Sequence, residues 1–218
     1  MIIESISSII HSVSEGVAVV CTGTAYIFSK KKVIGQLALF LLVGFIVDML
    51  YDYLPGHSTA IRVNMMVYCL FEAYFFLFYL TYPLHFSRKF KIIAAFVVAF
   101  WWVYTSFLIS YKPAINHGYH PYFDMLYEGG GAVLAALSLL KLTQKDKEEV
   151  DQFYFWSLII LFYYTFCIFY IHTFNGLKVV QSVWYISRYI DALALLSYSA
   201  LAIVSIVQHK RQEQREFA

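Results

Sequence analysis

Residues 117–142 read HGYHPYFDMLYEGGGAVLAALSLLKL, and they show the pattern on which the fold depends. The stretch opens on His117 and His120, carries Asp124 and Glu128, becomes almost wholly apolar, and reaches a basic residue at Lys141. About 20 mostly apolar residues are enough to cross the hydrocarbon core of a bilayer. The pattern therefore predicts a membrane-crossing helix with acidic and histidine side chains toward one end and a basic residue at the other.

The same kind of segment recurs along a chain of 218 residues that is 61% hydrophobic and only 14% charged. Soluble domains average about 25% charged residues, so this composition indicates a membrane protein. The four prolines fall at segment ends, where a missing N–H costs least. We predict an all-α bundle of seven transmembrane helices over residues 5–29, 34–54, 60–82, 90–111, 119–142, 152–174 and 179–207.

The connections are too short to hold a further domain, so residues 1–208 are predicted to form one transmembrane domain and residues 209–218 a short tail. Cys21, Cys69 and Cys167 each lie inside an apolar run, which does not suggest a disulfide framework. The predicted partner is the lipid bilayer, and no motif indicates nucleic acid binding.

Lysine and arginine residues set the predicted orientation. Twelve of the sixteen lie on one side of the predicted bundle, in the turns after the first, third and fifth helices and in the tail. Cytoplasmic loops are enriched in these residues. We therefore expect the N-terminus outside, the C-terminus in the cytoplasm, and a location in the inner membrane of a bacterium.

Ionisable residues inside membrane helices are costly and mark functional positions by default. The predicted spans hold His11, Glu15, Asp48, Asp52, Glu72, His120, Asp124, Glu128, His172, Arg188 and Asp191. At 1.5 Å per residue, Asp48 lies about 9 Å, Glu128 about 14 Å, and Glu72 and Asp191 about 18 Å below the outer ends of their helices. Their one-sided placement predicts a pocket that opens outward.

Eight of these residues are predicted to bind a ligand: Glu15, Asp48, Glu72, His120, Asp124, Glu128, Arg188 and Asp191. The acidic excess favours a small cationic or protonatable ligand. The spacing of His117, His120, Asp124 and Glu128 places them on one helical face. Arg188 and Asp191 are spaced to pair, and a purely structural ion pair is the alternative interpretation.

A metal site is a weaker hypothesis. The sequence HGYH at residues 117–120 is an HxxH pair, but HExxH and ExxH are missing, as is the GxSxG of serine hydrolases. If a metal binds, the candidate ligands are His11, His117, His120 and Asp124, since histidine and carboxylate suit zinc, iron or manganese. No other cofactor is predicted.

The two halves of the chain show a faint similarity. Glu15-Gly16 in the first helix corresponds to Glu128-Gly129 in the fifth, and Glu72 in the third to Asp191 in the seventh. This predicts two three-helix units with the fourth helix as a linker, an arrangement found in transporters. Coincidence is the alternative, because the identities are few.

The topology resembles that of rhodopsins, seven-helix receptors and SWEET-type transporters. Predicted helix seven has no lysine for a retinal Schiff base, which argues against retinal, and the PQ dipeptide of SWEET-type proteins is missing. The segments FYFWSLIILFYYTF and WYISRYIDALALLSYSALAIVSI resemble small uncharacterised seven-helix proteins of Bacteroidetes, some of them encoded beside signalling proteins. That resemblance implies no established activity.

Four functions fit these features. The favoured one is a receptor-like ligand-binding protein that acts through a separate cytoplasmic signalling partner. A small transporter is the second, with proton coupling through its midplane acids as one version. A membrane-embedded enzyme with a histidine and carboxylate site and a structural subunit of a larger complex are the others, and an enzyme is not the favoured class.

Overall fold

The computed structural model consists of seven long α-helices joined by short connections. It describes residues 2–53, 59–110, 121–146, 149–174 and 181–216, and no strand forms within them. The helices are α1 (Ile2–Ser29), α2 (Lys32–Tyr53), α3 (Thr59–Leu80), α4 (Arg88–Ser110), α5 (Pro121–Thr143), α6 (Gln152–Phe174) and α7 (Gln181–Glu216). A single 3-10 turn, Tyr82–Leu84, follows α3.

The helices begin and end within three residues of the predicted spans, with one difference. Helix α7 continues beyond residue 207 as far as Glu216. The added residues, QHKRQEQRE, are mainly glutamine, glutamate, lysine and arginine, which are good helix formers. The segment predicted as a tail therefore begins as a polar extension of α7.

Within the described residues, five helices contain stretches that are long and apolar enough to cross a membrane: Ile6–Ser29, Lys32–Leu50, Met125–Thr143, Gln152–Ile171 and Tyr185–Gln212. A shorter apolar stretch, Met66–Leu80, lies in α3. Helix α4 is apolar after its three basic residues, and it turns Phe96 and Phe100 outward with 72% and 70% of their surface exposed. Such outward apolar surface fits a lipid surrounding, and the chain is an integral membrane protein of the all-helical class.

Contacts between the connections show which helix ends lie together. Lys31, between α1 and α2, forms an ion pair with Asp151 at the start of α6, with Nζ 2.9 Å from Oδ2. Lys210 of α7 lies 5.4 Å from the ring centre of Phe28 at the end of α1. We call this the basic end of the bundle, because the connections and last turns gathered there carry most of the lysines and arginines.

Six of the helices close into a ring. Helix α1 packs against α2 and α7, α2 against α3, α3 against α5, α5 against α6, and α6 against α7. Helix α4 lies outside this ring and packs against α3 and α5. Among the six helices of the ring, the list of neighbours is unchanged when α1, α2 and α3 are exchanged with α5, α6 and α7.

The hydrophobic core fills the half of the ring that is nearer the basic end. Its members include Ile34, Leu37, Phe76, Tyr79, Leu80, Leu142, Leu158, Leu161, Tyr198 and Ala202. Hydrogen bonds fix its edge: the hydroxyls of Tyr79 and Ser157 lie 2.7 Å apart, and the Tyr154 hydroxyl donates to the Tyr79 carbonyl. This packing leaves the opposite half of the ring for polar side chains.

Candidate functional site

Five helices of the ring each contribute one carboxyl group to a single cluster. We call Glu15 of α1, Asp48 of α2, Glu72 of α3, Glu128 of α5 and Asp191 of α7 the acidic cluster. Glu128 is close enough to interact electrostatically with Glu72 and Asp191, and Asp191 interacts with Glu72 and Asp48. Residues up to 176 positions apart in sequence therefore share one polar site (191 − 15).

The members of the cluster lie at different depths. Glu15, Glu72 and Glu128 are buried, with 6%, 6% and 5% of their surface exposed. The side chains of Asp48 and Asp191 keep 33% and 25% exposure. The cluster thus has three enclosed carboxyls and two that remain partly accessible.

His11 connects three helices at the accessible side of the cluster. Its Nδ1 lies 3.3 Å from Oδ2 of Asp48, and its Nε2 lies 3.8 Å from Oδ2 of Asp191. The ring is buried, with 8% of the residue exposed. Arg188, one turn before Asp191 on α7, interacts electrostatically with both His11 and Asp191. The imidazole therefore lies between two carboxylates, with one cation close by.

Tyrosines complete the lining. The Tyr127 hydroxyl donates a 2.8 Å hydrogen bond to Oε2 of Glu72, which joins α5 to α3. The Tyr164 hydroxyl of α6 donates to Asp191. With Tyr164, all six helices of the ring place a polar side chain in the site. The tyrosines hold individual carboxyls in fixed positions, because a hydroxyl donor restricts the rotamers that a carboxylate can adopt.

One part of the cluster has the geometry of a small cation site. Donor atoms of His11, Glu15 and Asp48 all lie within 4.8 Å of one another. It is the one such group among the residues that the structure describes. An imidazole nitrogen with two carboxylate oxygens suits a first-row divalent metal better than calcium, which takes six to eight oxygens.

Glycine positions allow side chains to approach the site. A Cβ at Gly44 would lie 3.1 Å from the Tyr68 hydroxyl and 3.2 Å from Oε1 of Glu15, so α2 is open here to both groups. A Cβ at Gly131 would lie 3.1 Å from the Phe76 ring. Of the three glycines after Glu128, Gly129 and Gly131 thus serve close packing of neighbouring helices, and Gly130 does not.

Six of the residues predicted to bind a ligand are placed together. Glu15, Asp48, Glu72, Glu128, Arg188 and Asp191 all lie in or beside the cluster. The other two predicted residues lie outside what the structure describes: His120 entirely, and Asp124 in its side chain.

The structure locates only one of the four residues that the sequence suggested as metal ligands. His11 lies beside the acidic cluster. His117 and His120 lie outside the described residues, and the Asp124 side chain is not described. The partners that the structure gives to His11 are Glu15 and Asp48, which the sequence assigned to ligand binding in general. The spacing of His11 and Glu15, one helical turn apart, was the available signal for this pair.

The sequence did not single out the tyrosines of the site. Tyr68, Tyr127 and Tyr164 are three of nineteen tyrosines. Only the packing shows that these three face carboxyls and that others face lipid. The position of Tyr127, directly before Glu128 and on a different helical face, gave no indication that it would contact Glu72.

Comparison with protein-family models, curated proteins and solved structures finds no match for the chain.

Proposed function

We propose that the chain crosses the membrane seven times, with its N-terminus outside and its C-terminus in the cytoplasm, and binds a small cationic or protonatable ligand. The ligand site is the acidic cluster, which opens toward the outside. A receptor-like protein of this kind acts through a separate cytoplasmic signalling partner, and the inner membrane of a bacterium is its location.

The main support for this function is that five carboxyls from five helices converge on one site. A charged group inside a membrane is costly unless it is paired or hydrogen-bonded. Among the residues whose side chains are described, Arg188 and His11 are the basic groups that lie beside this cluster. A bound cation would compensate the acidic excess, so the site favours a positively charged ligand over an anion.

The position of the hydrophobic core supports a pocket that opens on one side of the membrane. Polar groups of the cluster lie between the ring's middle and the end opposite the basic end, and the core begins directly beyond Glu72 at Phe76. The positive-inside rule assigns the basic end to the cytoplasm. A ligand would thus enter from the outside and stop above Phe76 and Leu80.

The orientation has a direct test. Alkaline phosphatase fused after Ala218 should be inactive in cells, and green fluorescent protein at the same position should fluoresce. An active phosphatase fusion would place the C-terminus outside and reverse the proposed opening of the pocket.

Ligand binding is tested by thermal unfolding of the full chain in nanodiscs with ethanolamine, putrescine and Zn²⁺ as probes. A ligand at a hundredfold excess over its dissociation constant stabilises the folded state by about 2.7 kcal/mol. We expect stabilisation by at least one probe, lost in Glu72→Gln and Glu128→Gln. Glu149→Gln, which changes an exposed carboxyl near the basic end, is the matched control. Unchanged stabilisation in both cluster variants would refute the proposed site.

A transporter is the second candidate, and the packing of the ring favours it. Within the ring, the neighbours of α1–α3 and of α5–α7 correspond, as expected for two three-helix units joined by a peripheral fourth helix. The continuous core at the basic end argues for binding without passage. Uptake of radiolabelled putrescine by proteoliposomes above that of empty liposomes would favour transport.

A further inference from the structure

We infer that the cation bound in the pocket is a first-row divalent metal ion, held by His11 Nδ1 and by the carboxylates of Glu15 and Asp48. This inference rests on the proposed function and specifies its ligand. It assigns Asp191 as the residue that orients the histidine.

The distances between donor atoms fit such an ion. Nitrogen and oxygen ligands at about 2.0–2.2 Å from a tetrahedral metal lie about 3.3–3.6 Å from one another. His11 Nδ1 and Asp48 Oδ2 are 3.3 Å apart, and all three donors lie within 4.8 Å. Rotation of the Glu15 carboxylate toward the other two donors completes a three-ligand face.

The hydrogen bonding of His11 provides a second observation. Its side chain is nine-tenths buried, and its Nδ1 lies 3.3 Å from Oδ2 of Asp48, yet this nitrogen makes no hydrogen bond with any residue that the structure describes. A buried polar atom without such a bond needs another partner. A metal ion supplies one, because neutral imidazole offers a lone pair at Nδ1.

The second ring nitrogen of His11, Nε2, faces a carboxylate, which is the kind of hydrogen-bond acceptor that a metal-bound histidine needs. Histidine ligands almost always donate their other N–H to a carboxylate, a carbonyl or water. Nε2 of His11 lies 3.8 Å from Oδ2 of Asp191, so a shift of about 0.6–1 Å forms a hydrogen bond. Asp191 is itself held by the Tyr164 hydroxyl and lies near Arg188.

Charge favours the same ligand. A divalent ion with two carboxylates and a neutral imidazole forms a group without net charge, which a membrane interior tolerates better than uncompensated carboxylates. The single imidazole and the two carboxylates suit zinc, iron(II) or manganese, whereas calcium and magnesium prefer an all-oxygen set.

The test uses the purified full chain in nanodiscs, stripped with a chelator and dialysed against Zn²⁺ or Co²⁺. We expect elemental analysis by inductively coupled plasma mass spectrometry to find one metal ion per chain. Ca²⁺ should not be retained. His11→Ala should lose the ion. His209→Ala, which removes a histidine of α7 at the basic end, is the matched control and should keep it.

Asp191→Asn separates orientation from ligation. A residue that only orients the histidine should weaken metal affinity about 10–100-fold and leave the stoichiometry at saturation unchanged. If His11→Ala does not fold, pulsed electron paramagnetic resonance of Cu²⁺ in the unmodified chain decides the matter. The spectrum should show one coordinated imidazole nitrogen, and a spectrum without one would overturn the site.

Other outcomes also decide the inference. Retention no greater than in empty nanodiscs, or retention of the ion by a folded His11→Ala variant, would refute the metal site. If metal fails to bind while amines still stabilise the chain through Glu72 and Glu128, the metal inference fails and the proposed pocket remains. If metal binds through His11 and no stabilisation depends on Glu72 or Glu128, the metal site remains and the wider pocket fails.

Discussion

The glycines that follow Glu128 provide a sharp test of the packing around the site. Gly130 and Gly131 are adjacent in α5 but face different surroundings. A Cβ at Gly130 would meet no atom within 4 Å. A Cβ at Gly131 would lie 3.1 Å from Cδ2 of Phe76 and 3.3 Å from Cγ2 of Thr165, and both of those residues are buried. Replacement by alanine should therefore be more favourable at Gly130 than at Gly131.

The magnitude follows from two terms. Alanine is better than glycine inside a helix by about 0.5–1 kcal/mol, and this gain applies at both positions. Overpacking a filled interior costs about 1–3 kcal/mol, and this cost applies only at Gly131. Gly130→Ala should stabilise the protein by about 0.5–1 kcal/mol. The gain in helix propensity is the same in both variants and cancels when their unfolding free energies are compared. Gly131→Ala should therefore be less stable than Gly130→Ala by about 1–3 kcal/mol.

Reversible unfolding in mixed micelles, followed by tryptophan fluorescence during titration with a denaturing detergent, measures this difference. Gly129→Ala is an internal reference. Its Cβ would approach the Phe169 ring to 2.9 Å, but that ring is only partly buried and has room to rotate. We expect its stability to lie between those of the other two variants. Equal stability of the Gly130 and Gly131 variants would refute the close packing of α5 against α3 and α6.

Two further substitutions test individual hydrogen bonds. Tyr127→Phe removes the donor to Oε2 of Glu72 and should cost about 1–3 kcal/mol, measured by the same unfolding titration; a change below about 0.3 kcal/mol would contradict this contact. Trp102→Phe removes a 2.8 Å bond from the indole to the Met66 carbonyl and should cost about 1 kcal/mol. Trp101→Phe is its control, because the Trp101 indole N–H has no acceptor among the described residues; an equal loss in both variants would show that ring packing decides the effect.

The helices could be predicted from the sequence because membrane crossing imposes a strong local constraint. About 20 apolar residues are required for each span, and the backbone must satisfy its hydrogen bonds within the segment. The predicted span that ends at Leu142 meets this requirement, and α5 ends one residue later at Thr143. The end of α7 was missed because a polar helix beyond the lipid carries no hydropathy signal. Helix propensity alone favours its extension to Glu216.

The same constraint makes the candidate site residues recognisable in the sequence, but it does not show which of them contact one another. An ionisable side chain such as Glu72 or Glu128 stands out in an apolar helix, whatever surrounds it. Its neighbours depend on how each helix is rotated about its axis and on which helices are adjacent, and both result from packing between distant segments. The order of the ring, with α3 beside α5 and α4 outside, brings Tyr127 to Glu72.

The sequence by itself thus determined the class of protein, the number of its helices, their limits except for the end of α7, and the residues that had to be accounted for. The tertiary structure alone decided that His11 lies between Asp48 and Asp191, and that Glu15 lies beside them. Hydropathy is a property of each segment, whereas a binding site is a property of the distances between segments. Those distances depend on side-chain volumes. Gly131, for example, has a hydrogen atom where alanine has a methyl group, and this leaves room for the Phe76 ring.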